Sequence, residues 1–445
     1  MLTKIAVGVA LAASAMVGRA FADPAVTSFE LDNGMEVVVI EDHRAPVVTQ
    51  MVWYPVGSAD EPWGTSGIAH FFEHMMFRGS EKFPNGIASQ IIAENGGSEN
   101  AFTSYDYTGY YQTIAADRLD IVMDLESDRM RNLIIDDDTT ATERKVILEE
   151  RNQRTDSSPQ ALFSEQMRAA LFMNHPYGVP VIGWRHEIEN LSPDDLRTFY
   201  DAFYSPDNAI LVVAGDVTPE QVRDLAEKYY GPLPASGQAP APRPSEPPQL
   251  APRRIEMADH RVRQDYVMRQ YLVPSYESED PTESAALLIL SEILGNGIGS
   301  RFASRLQLED KSAISTGAFY SPSSRDPSVF GIYGVPTRGT DLDTVEAGLD
   351  DVIAELVEKG PTEEEVERVK RLIRAARIYA KDSVTAQARL YGSSLAVGRT
   401  VAEIQAYPDV IEAVTAEDVR AAAENNLDLN RSVTGRLIRA EEAPK

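Results

Sequence analysis

The amino-acid sequence predicts an α+β fold made of two homologous α/β-sandwich domains, each with a sheet packed against helices. The first observation behind this prediction is a Pro-rich segment, residues 231–252, dominated by Pro, Ala, Ser and Gly. Such a composition forms neither helix nor strand and favours extended chain. The chain of 445 residues is also too long for one ordinary core. The segment is therefore predicted to link an N-terminal domain, residues 23–230, to a C-terminal domain, residues 253–445.

The second observation is a pattern that occurs on both sides of the linker. A charged helical stretch at 194–200 precedes an apolar strand at 209–215, and the same order returns at 417–423 and 431–435. Duplication of one domain is the simplest explanation of such a repeat. Two unrelated halves with similar helix charge are the alternative.

The first 22 residues resemble a bacterial secretory signal peptide. Lys4 precedes an apolar run from Ile5 to Val17, and Ala20-Phe21-Ala22 supplies the small residues of a cleavage site. The run is short for a membrane span, and no later stretch approaches the roughly 20 apolar residues that a span needs. We expect cleavage after residue 22, export to the periplasm and no stable membrane insertion, with an uncleaved anchor as the alternative.

Composition narrows the classes of partner. The chain has 42 Lys and Arg against 69 Asp and Glu, a formal charge of −27. Nucleic acid and anionic membrane surfaces are not expected partners, because phosphate binding needs clustered Lys and Arg. Cysteine is absent, which excludes disulfides, thiolate metal ligands and a cysteine nucleophile.

The strongest functional signal is the run His70-Phe71-Phe72-Glu73-His74. Positions i, i+3 and i+4 share one face of a helix, so both imidazoles can bind one metal ion while the Glu73 carboxylate points to the same place. Catalytic zinc usually takes three protein ligands and leaves a fourth position for water. The run matches the inverted H-x-x-E-H zinc signature and requires a third ligand. A helix that carries two histidines by chance is the alternative.

Residues 66–80 surround this run and resemble the signature of the pitrilysin, insulinase and mitochondrial processing peptidase family. The resemblance covers the whole mature chain and implies the short, two-domain type. It implies a third zinc ligand about 76 residues beyond His74, at Glu150, and a further carboxylate seven residues earlier, at Glu143. It also implies one zinc ion per chain and peptide hydrolysis, with Glu73 as the general base.

The sequence around Glu150 is consistent with that assignment. Residues 136–139 offer several N-cap candidates for a helix. On this helix Glu143 and Glu150 share a face with Ile147, whereas Glu149 points about 100° away. We therefore expect Glu150 to bind the metal and Glu143 to orient a histidine or a water molecule without binding the metal. Solvated helix charges are the alternative for both.

A strand beside the site is the candidate for substrate binding. Residues 96–104 read as a Gly-Gly turn that leads into a strand, and they resemble the family's edge strand beside the zinc. A peptide can pair with such an edge through backbone hydrogen bonds. The predicted substrate-binding residues are Asn100, Ala101, Phe102 and Thr103. An ordinary sheet strand is the alternative.

The second half lacks the corresponding functional residues. Ile289, Glu292 and Ile293 align with the zinc motif. Active single-chain relatives carry an Arg and a Tyr that stabilise the oxyanion, and the aligned positions here hold Gln307 and Ile314. Several short members work as pairs of subunits, so the resemblance implies a zinc-bearing subunit of a heterodimer whose homologous partner supplies the Arg/Tyr pair.

Three alternatives remain open, one of which is a metal-binding or sensing module, a function that would not need Glu73. A self-sufficient homodimer is possible if other residues serve as the Arg/Tyr pair, the candidates being Arg301, Arg305, Tyr320 and Tyr391. A non-catalytic structural or partner subunit of the same fold is the third alternative, although such chains typically lose the metal residues.

Overall fold

Two β-sheets, one in each half of the chain, organise the protein. The computed structural model describes residues 25–238, 240–276 and 280–440. The predicted signal peptide, residues 1–22, lies outside the described residues. Within the part described, none of the helices combines the length and the apolar composition that a membrane span requires.

The first sheet has six strands in the order β1-β2-β6-β3-β5-β4. Their bounds are β1 (Val26–Glu30), β2 (Glu36–Glu41), β3 (Val47–Tyr54), β4 (Ser98–Thr103), β5 (Thr108–Ala115) and β6 (Ile210–Gly215). Strands β2 and β6 run parallel, and the other neighbours are antiparallel. Strand β4 therefore lies at an edge of the sheet.

In the described part of the first half, eight α-helices accompany this sheet. They are α1 (Ile68–Met75), α2 (Ile87–Glu94), α3 (Leu119–Arg131), α4 (Asp137–Arg151), α5 (Pro159–Leu171), α6 (Arg185–Ile188), α7 (Pro193–Phe203) and α8 (Pro219–Tyr229). Phe71, Phe72 and Met75 of α1 are fully buried in the main core of this half. The apolar residues around the histidine motif thus seat α1 between the sheet and the other helices.

The second sheet repeats the first without its outermost strand. Its order is β7-β11-β8-β10-β9, with β7 (Arg253–Asp259), β8 (Tyr266–Val273), β9 (Ala313–Tyr320), β10 (Ser328–Pro336) and β11 (Ser432–Arg439). Its one parallel pair, β7 with β11, occupies the place of β2 with β6. The shared strand order confirms the predicted α+β class with a duplicated domain.

The second sheet is accompanied, among the residues described from 280 to 440, by six α-helices, namely α9 (Pro281–Gly295), α10 (Leu342–Lys359), α11 (Glu363–Ala380), α12 (Val384–Ala396), α13 (Val401–Ala413) and α14 (Ala416–Asn426). Between the two sheets, the described residues from 234 to 252 contain neither helix nor strand. The prolines of this segment account for the absence of helix and strand, because proline removes a backbone donor and restricts the conformation of the residue before it.

One helix of each half packs on the sheet of the other half. Tyr391 and Leu395 of α12 pack on Trp53 of β3. In the same way, Phe163 and Met167 of α5 pack on β11. Each sheet therefore buries its second face only when both halves are folded and docked.

The two halves also share a tripeptide that the sequence comparison missed. Asp42-His43-Arg44 follows β2, and Asp259-His260-Arg261 begins at the last residue of β7. Arg44 donates to the carbonyl of Lys381 at 2.8 Å, just beyond α11. Arg261 donates to the carbonyl of Ser157 at 3.1 Å, between α4 and α5. Each of these loops thus contacts the other half at an equivalent position, as expected for a duplicated domain.

The close packing of α12 on β3 predicts that a larger side chain at Gly392 destabilises the protein. A methyl group at this position of α12 would overlap the indole ring of Trp53. Gly392→Ala should lower the free energy of unfolding by about 1–3 kcal/mol, the typical cost of overpacking, as measured by denaturant unfolding. Gly299→Ala is the control, because a methyl group there meets nothing within 4 Å. Equal stability of the two variants would contradict this packing.

Candidate metal centre

Helix α1 presents both histidines of the motif. It begins after Gly67, whose φ of 89° is left-handed and whose added Cβ would lie 2.6 Å from the carbonyl oxygen of Ile182. Glycine is required here for both reasons. The Glu61 carboxylate accepts hydrogen bonds from the amides of Gly67 and Ala69, each at 2.9 Å. An acceptor at this end satisfies free amides and complements the helix dipole.

Helix α4 presents the two predicted glutamates. Asp136 is its N-cap and accepts a hydrogen bond from the amide of Thr139 at 2.8 Å. Glu143 and Ile147 are fully buried on the face toward α1, and Glu150 lies two turns beyond Glu143 on that face.

Three potential ligand atoms converge between the two helices. Glu150 Oε2 lies 3.1 Å from His74 Nε2 and 3.6 Å from His70 Nε2. One ligand atom from each of these three residues lies within 4.8 Å of the others. Among the described residues, no other group of three or more His, Cys, Asp or Glu side chains is arranged to hold a metal ion.

Glu143 lies behind His74. Its Oε2 is 3.5 Å from His74 Nδ1, and its Oε1 is 2.5 Å from Arg78 Nε. A buried carboxylate at Nδ1 leaves Nε2 of the same ring directed at Glu150. This contact is the kind that orients a metal-binding histidine from behind.

The pKa values of the two histidines are shifted in opposite directions. Burial lowers the pKa of His70 to about 4, and the nearby charge of His74 adds to this effect. Burial also lowers the pKa of His74, but the contacts of its ring with the Glu143 and Glu150 carboxylates outweigh burial and raise the pKa to about 9. The hydrogen bond from His74 lowers the pKa of Glu150. Without metal, a protonated His74 therefore lies between two carboxylates near pH 7.

The residues present fit a zinc ion. Two imidazoles and one carboxylate are a typical donor set of catalytic zinc, which keeps a fourth position open. His70 Nδ1 is buried with no hydrogen-bond partner in the described part of the chain. A divalent cation requires donors such as a neutral imidazole nitrogen and a carboxylate oxygen. The Nε2 atom of His70 and the Glu150 carboxylate, which faces it between the two helices, are donors of these kinds.

Comparison with known proteins identifies the family. Residues 36–184 match the description "Insulinase (Peptidase family M16)", and residues 190–373 match "Peptidase M16 inactive domain". The zinc protease PqqE of Helicobacter pylori is 33% identical over 311 residues, which is 69% of each chain. The chain belongs to the insulinase family of peptidases. This confirms the resemblance predicted from residues 66–80.

Two further comparisons extend over most of the chain. The mitochondrial-processing peptidase subunit beta of Lentinula edodes is 27% identical over 413 residues, covering 89% of this chain and 86% of that protein. The crystal structure of a protease from Helicobacter pylori matches with a TM-score of 0.87 and 27% identity, over 93% of this chain and 99% of that one. The insulinase-family fold therefore spans both halves.

The fourth residue of the motif, Glu73, faces the edge strand β4. Thr103, the last residue of that strand, donates a hydrogen bond from Oγ1 to Glu73 Oε2 at 2.7 Å. Burial raises the pKa of Glu73, and the bond from Thr103 opposes this increase. A carboxylate with a raised pKa is better matched to accepting and returning a proton near neutral pH.

The other predicted substrate residues of β4 divide between the two faces of the sheet. Ala101 is buried on the side of α1, and its amide donates to its neighbour Asn100 Oδ1 at 2.8 Å. Phe102 lies on the opposite face, with its ring centroid 4.8 Å from that of Trp53 and beneath the guanidinium of Arg389. The Phe102 side chain thus packs between the halves, and only its backbone remains at the edge.

In the second half, α9 occupies the place of α1. Ile289 and Ile293 are fully buried there, and Glu292 bonds to Asn296. Gln307 donates to Thr316 Oγ1 at 2.8 Å, and Ile314 is 53% exposed on the edge strand β9.

Three of the four alternative residues for an Arg/Tyr pair have polar contacts within the second half, and the fourth, Tyr391, packs on Trp53 of the first half. Arg301 bonds to Glu365, and Arg305 pairs with Asp310 at 3.0 Å. Tyr320 donates to the carbonyl of Pro274 at 2.6 Å, and Tyr391 is buried.

The sequence did not lead to the prediction of two arginine side chains that lie at the site. Arg154 Nη1 lies 2.6 Å from Glu150 Oε1, so it holds the carboxylate oxygen that faces away from the histidines. Its spacing of four residues from Glu150 was a usable signal. Arg78, which pairs with Glu143, follows the end of α1, and no helical spacing indicates its position.

The raised pKa of His74 predicts pH-dependent metal binding. Zinc has to displace the His74 proton, so the affinity for zinc should rise about tenfold per pH unit from pH 7 toward 9 and then level off.

Glu143→Gln removes one cause of the raised pKa of His74, so the plateau should begin at lower pH. The affinity for zinc should also fall about 10- to 100-fold. Competition with a chromophoric chelator measures both effects. Glu149→Gln, at an exposed neighbour of Glu150, should match the native chain. An affinity independent of pH between 7 and 9 would be inconsistent with the charged His74.

Proposed function

We propose that this protein is a zinc metallopeptidase that hydrolyses unfolded peptides, with one zinc ion held by His70, His74 and Glu150. The observation that supports the proposal most is the convergence of these three ligand atoms from two helices within 4.8 Å. The family, and relatives that are named as zinc proteases, give independent support.

The proposed mechanism assigns a role to each residue. Zinc, when bound, supplies Lewis acidity that polarises the peptide carbonyl and makes water more acidic. Glu73 accepts a proton from the attacking water and donates it to the nitrogen of the leaving amine. Burial, which raises the pKa of Glu73, favours holding that proton between the two transfers. Glu143 fixes the ring of His74, and no covalent enzyme intermediate is needed.

The substrate in this proposal adds a strand to the first sheet. Among the residues that the structure describes, strand β4 pairs with β5 alone, and its last residue contacts Glu73. A peptide paired with Asn100, Ala101, Phe102 and Thr103 through its backbone would lie beside the base whatever its side-chain sequence. Only an extended, unfolded segment can pair in this way.

We further propose that the chain is the zinc-bearing subunit of a heterodimer that encloses peptides in a chamber. Gln307 and Ile314 cannot stabilise an oxyanion as an Arg/Tyr pair would, and nearby Arg301 and Arg305 are paired with local carboxylates. A relative of similar length is named as a peptidase subunit. Export to the periplasm is part of the proposal and is supported by the sequence of residues 1–22.

Replacement of Glu73 tests the catalytic assignment. Glu73→Gln should keep the zinc content, because Glu73 is not among the ligands, and should lower kcat for a quenched fluorescent peptide by about 100- to 10,000-fold, since it removes proton transfer. Glu149→Gln should behave as the native chain. Unchanged cleavage by Glu73→Gln would reject the mechanism. An inactive native protein, assayed with its partner, would favour the non-catalytic subunit.

Assay of the purified chain alone tests the two-subunit proposal. We expect weak cleavage by the single chain and an increase of at least about tenfold when a homologous subunit with the Arg/Tyr pair is added, because an oxyanion contact contributes about 10²–10³ in kcat. Native mass spectrometry of the active sample should show a one-to-one complex. Full activity of the chain without another protein would favour the homodimer.

A further inference from the structure

The Glu73 carboxylate is contacted by the hydroxyl group of Thr103. Within the described part of the chain, the bond from Thr103 Oγ1 at 2.7 Å is the one hydrogen bond that the Glu73 carboxylate receives. It fixes one carboxylate oxygen and leaves the other free for proton transfer. A base held by one contact keeps its orientation only if the donor is itself held firmly.

Thr103 is the last residue of β4 and leads into a tight turn, residues 104–107. The amide of Ser104 donates to the carbonyl of Tyr107 at 2.8 Å. Ser104 Oγ accepts hydrogen bonds from the amides of Asp106 and Tyr107, each at 3.1 Å. The end of the strand therefore cannot shift unless this turn shifts too.

The turn is attached to a second segment of the first half. The amides of Ser58 and Ala59 donate to the carbonyls of Ser104 and Tyr105 at 3.0 and 2.9 Å. A methyl group at Gly57 would overlap the backbone of the turn. These contacts place Asp60 of the same segment close to Asp106 of the turn.

Arg243 of the linker joins these two aspartates to the second half. Its guanidinium binds Asp60 through Nε and Nη2, each at 2.9 Å, and donates from Nη1 to Asp106 at 2.5 Å and to Asp326 at 2.7 Å. The Arg243 side chain is 6% exposed. We call these four residues, Arg243, Asp60, Asp106 and Asp326, the Arg243 cluster. Only the planar guanidinium can bind three carboxylates in this geometry.

Two further contacts reinforce the cluster at Asp106. The Tyr177 hydroxyl donates to its Oδ1, and the amide of Arg325 donates to its Oδ2 at 3.2 Å. On the other side, His175 Nε2 lies 3.3 Å from Asp326. Asp106 is therefore held by the linker, the first half and the second half together.

We propose that Thr103 positions Glu73 and that the Arg243 cluster, by anchoring turn 104–107, holds Thr103 in place. The inference rests on the proposed function. It gives the linker and the second half a part in catalysis although neither supplies a metal ligand. Thr103 and Arg243 are positioning residues, because they act through Glu73 and through the turn. The competing interpretation is that the cluster only attaches the halves to each other.

Thr103→Val tests the first step, because valine keeps the shape of threonine and removes the hydroxyl. We expect kcat to fall about 10- to 100-fold with KM and zinc content unchanged, as for a misplaced base. Thr103→Ser should restore kcat to within about threefold of the native value. Thr113→Val is the matched control, since it removes a hydroxyl that contacts Thr49 at 2.9 Å at the opposite end of β5.

A double-mutant cycle tests the second step. Arg243→Lys keeps the charge but cannot bind three carboxylates, and we expect it to lower kcat about fivefold in the native background and not at all in Thr103→Val. Asp326→Asn, which alters only the second-half partner, provides a milder variant if Arg243→Lys is unstable. Arg269→Lys is the control, because Arg269 is a buried arginine bonded to Glu346 within the second half.

The outcomes separate this inference from the proposed function. Native kcat in Thr103→Val, or an equal effect of Arg243→Lys in both backgrounds, overturns the inference while an inactive Glu73→Gln still supports a peptidase. Cleavage by Glu73→Gln overturns the proposed function itself. Loss of zinc in Thr103→Val would also overturn the inference, because the hydroxyl would then serve the metal site and not the base.

Discussion

The candidate site depends on keeping helix α4 fixed against helix α1. Glu150 has to face the gap between His70 and His74, so a small slide of either helix would separate the ligand atoms. The buried Glu143 resists such a slide, because it contacts both His74 and Arg78. Breaking a buried ion pair leaves an uncompensated charge, so displaced positions of α4 are costly. The polar groups behind the ligands therefore hold the helices in register.

Local periodicity made part of this site predictable. The spacing of His70 and His74 places both rings on one helix face, and the same argument separates Glu150 from its neighbour Glu149, which is exposed and bonds to Gln153. The 76-residue step from His74 to Glu150 is different, because no local rule connects two helices that are distant in sequence. It came from the family resemblance, and the roles of these residues remain a prediction.

Contacts made by tertiary packing could not be read from the sequence. The hydroxyl of Thr103 reaches Glu73 across 30 residues, and a threonine at the end of a strand is too common to indicate such a bond. In the sequence, Arg243 is a charged residue within a Pro-rich linker, which does not indicate burial. In the structure its side chain is buried among three aspartates. The repeated Asp-His-Arg tripeptide was visible in the sequence, but its role depends on which helix each of the two loops contacts. The duplicated fold was easier to predict, because strand and helix patterns repeat over whole domains.

The second half has the duplicated fold but carries apolar residues at the positions that correspond to the metal ligands. Ile289 and Ile293 of α9 are fully buried, and apolar side chains at such positions stabilise the core without the polar partners that buried imidazoles require. This half covers the first sheet with α12 and contributes Asp326 to the Arg243 cluster. Its contribution to the structure therefore includes direct contacts with the first half.

Strand β4 links substrate binding to base orientation in the proposed mechanism. An edge strand has unpaired backbone groups along one side, and a paired peptide would satisfy them and restrict the motion of the strand. Thr103 ends this strand, so a peptide that orders β4 also steadies the hydroxyl that holds Glu73. The turn beyond Thr103 is already anchored by Asp106, which leaves the open edge as the side where ordering can still increase. Extended peptides would in this way bind and complete the alignment of the base in one step, whereas a folded protein would do neither.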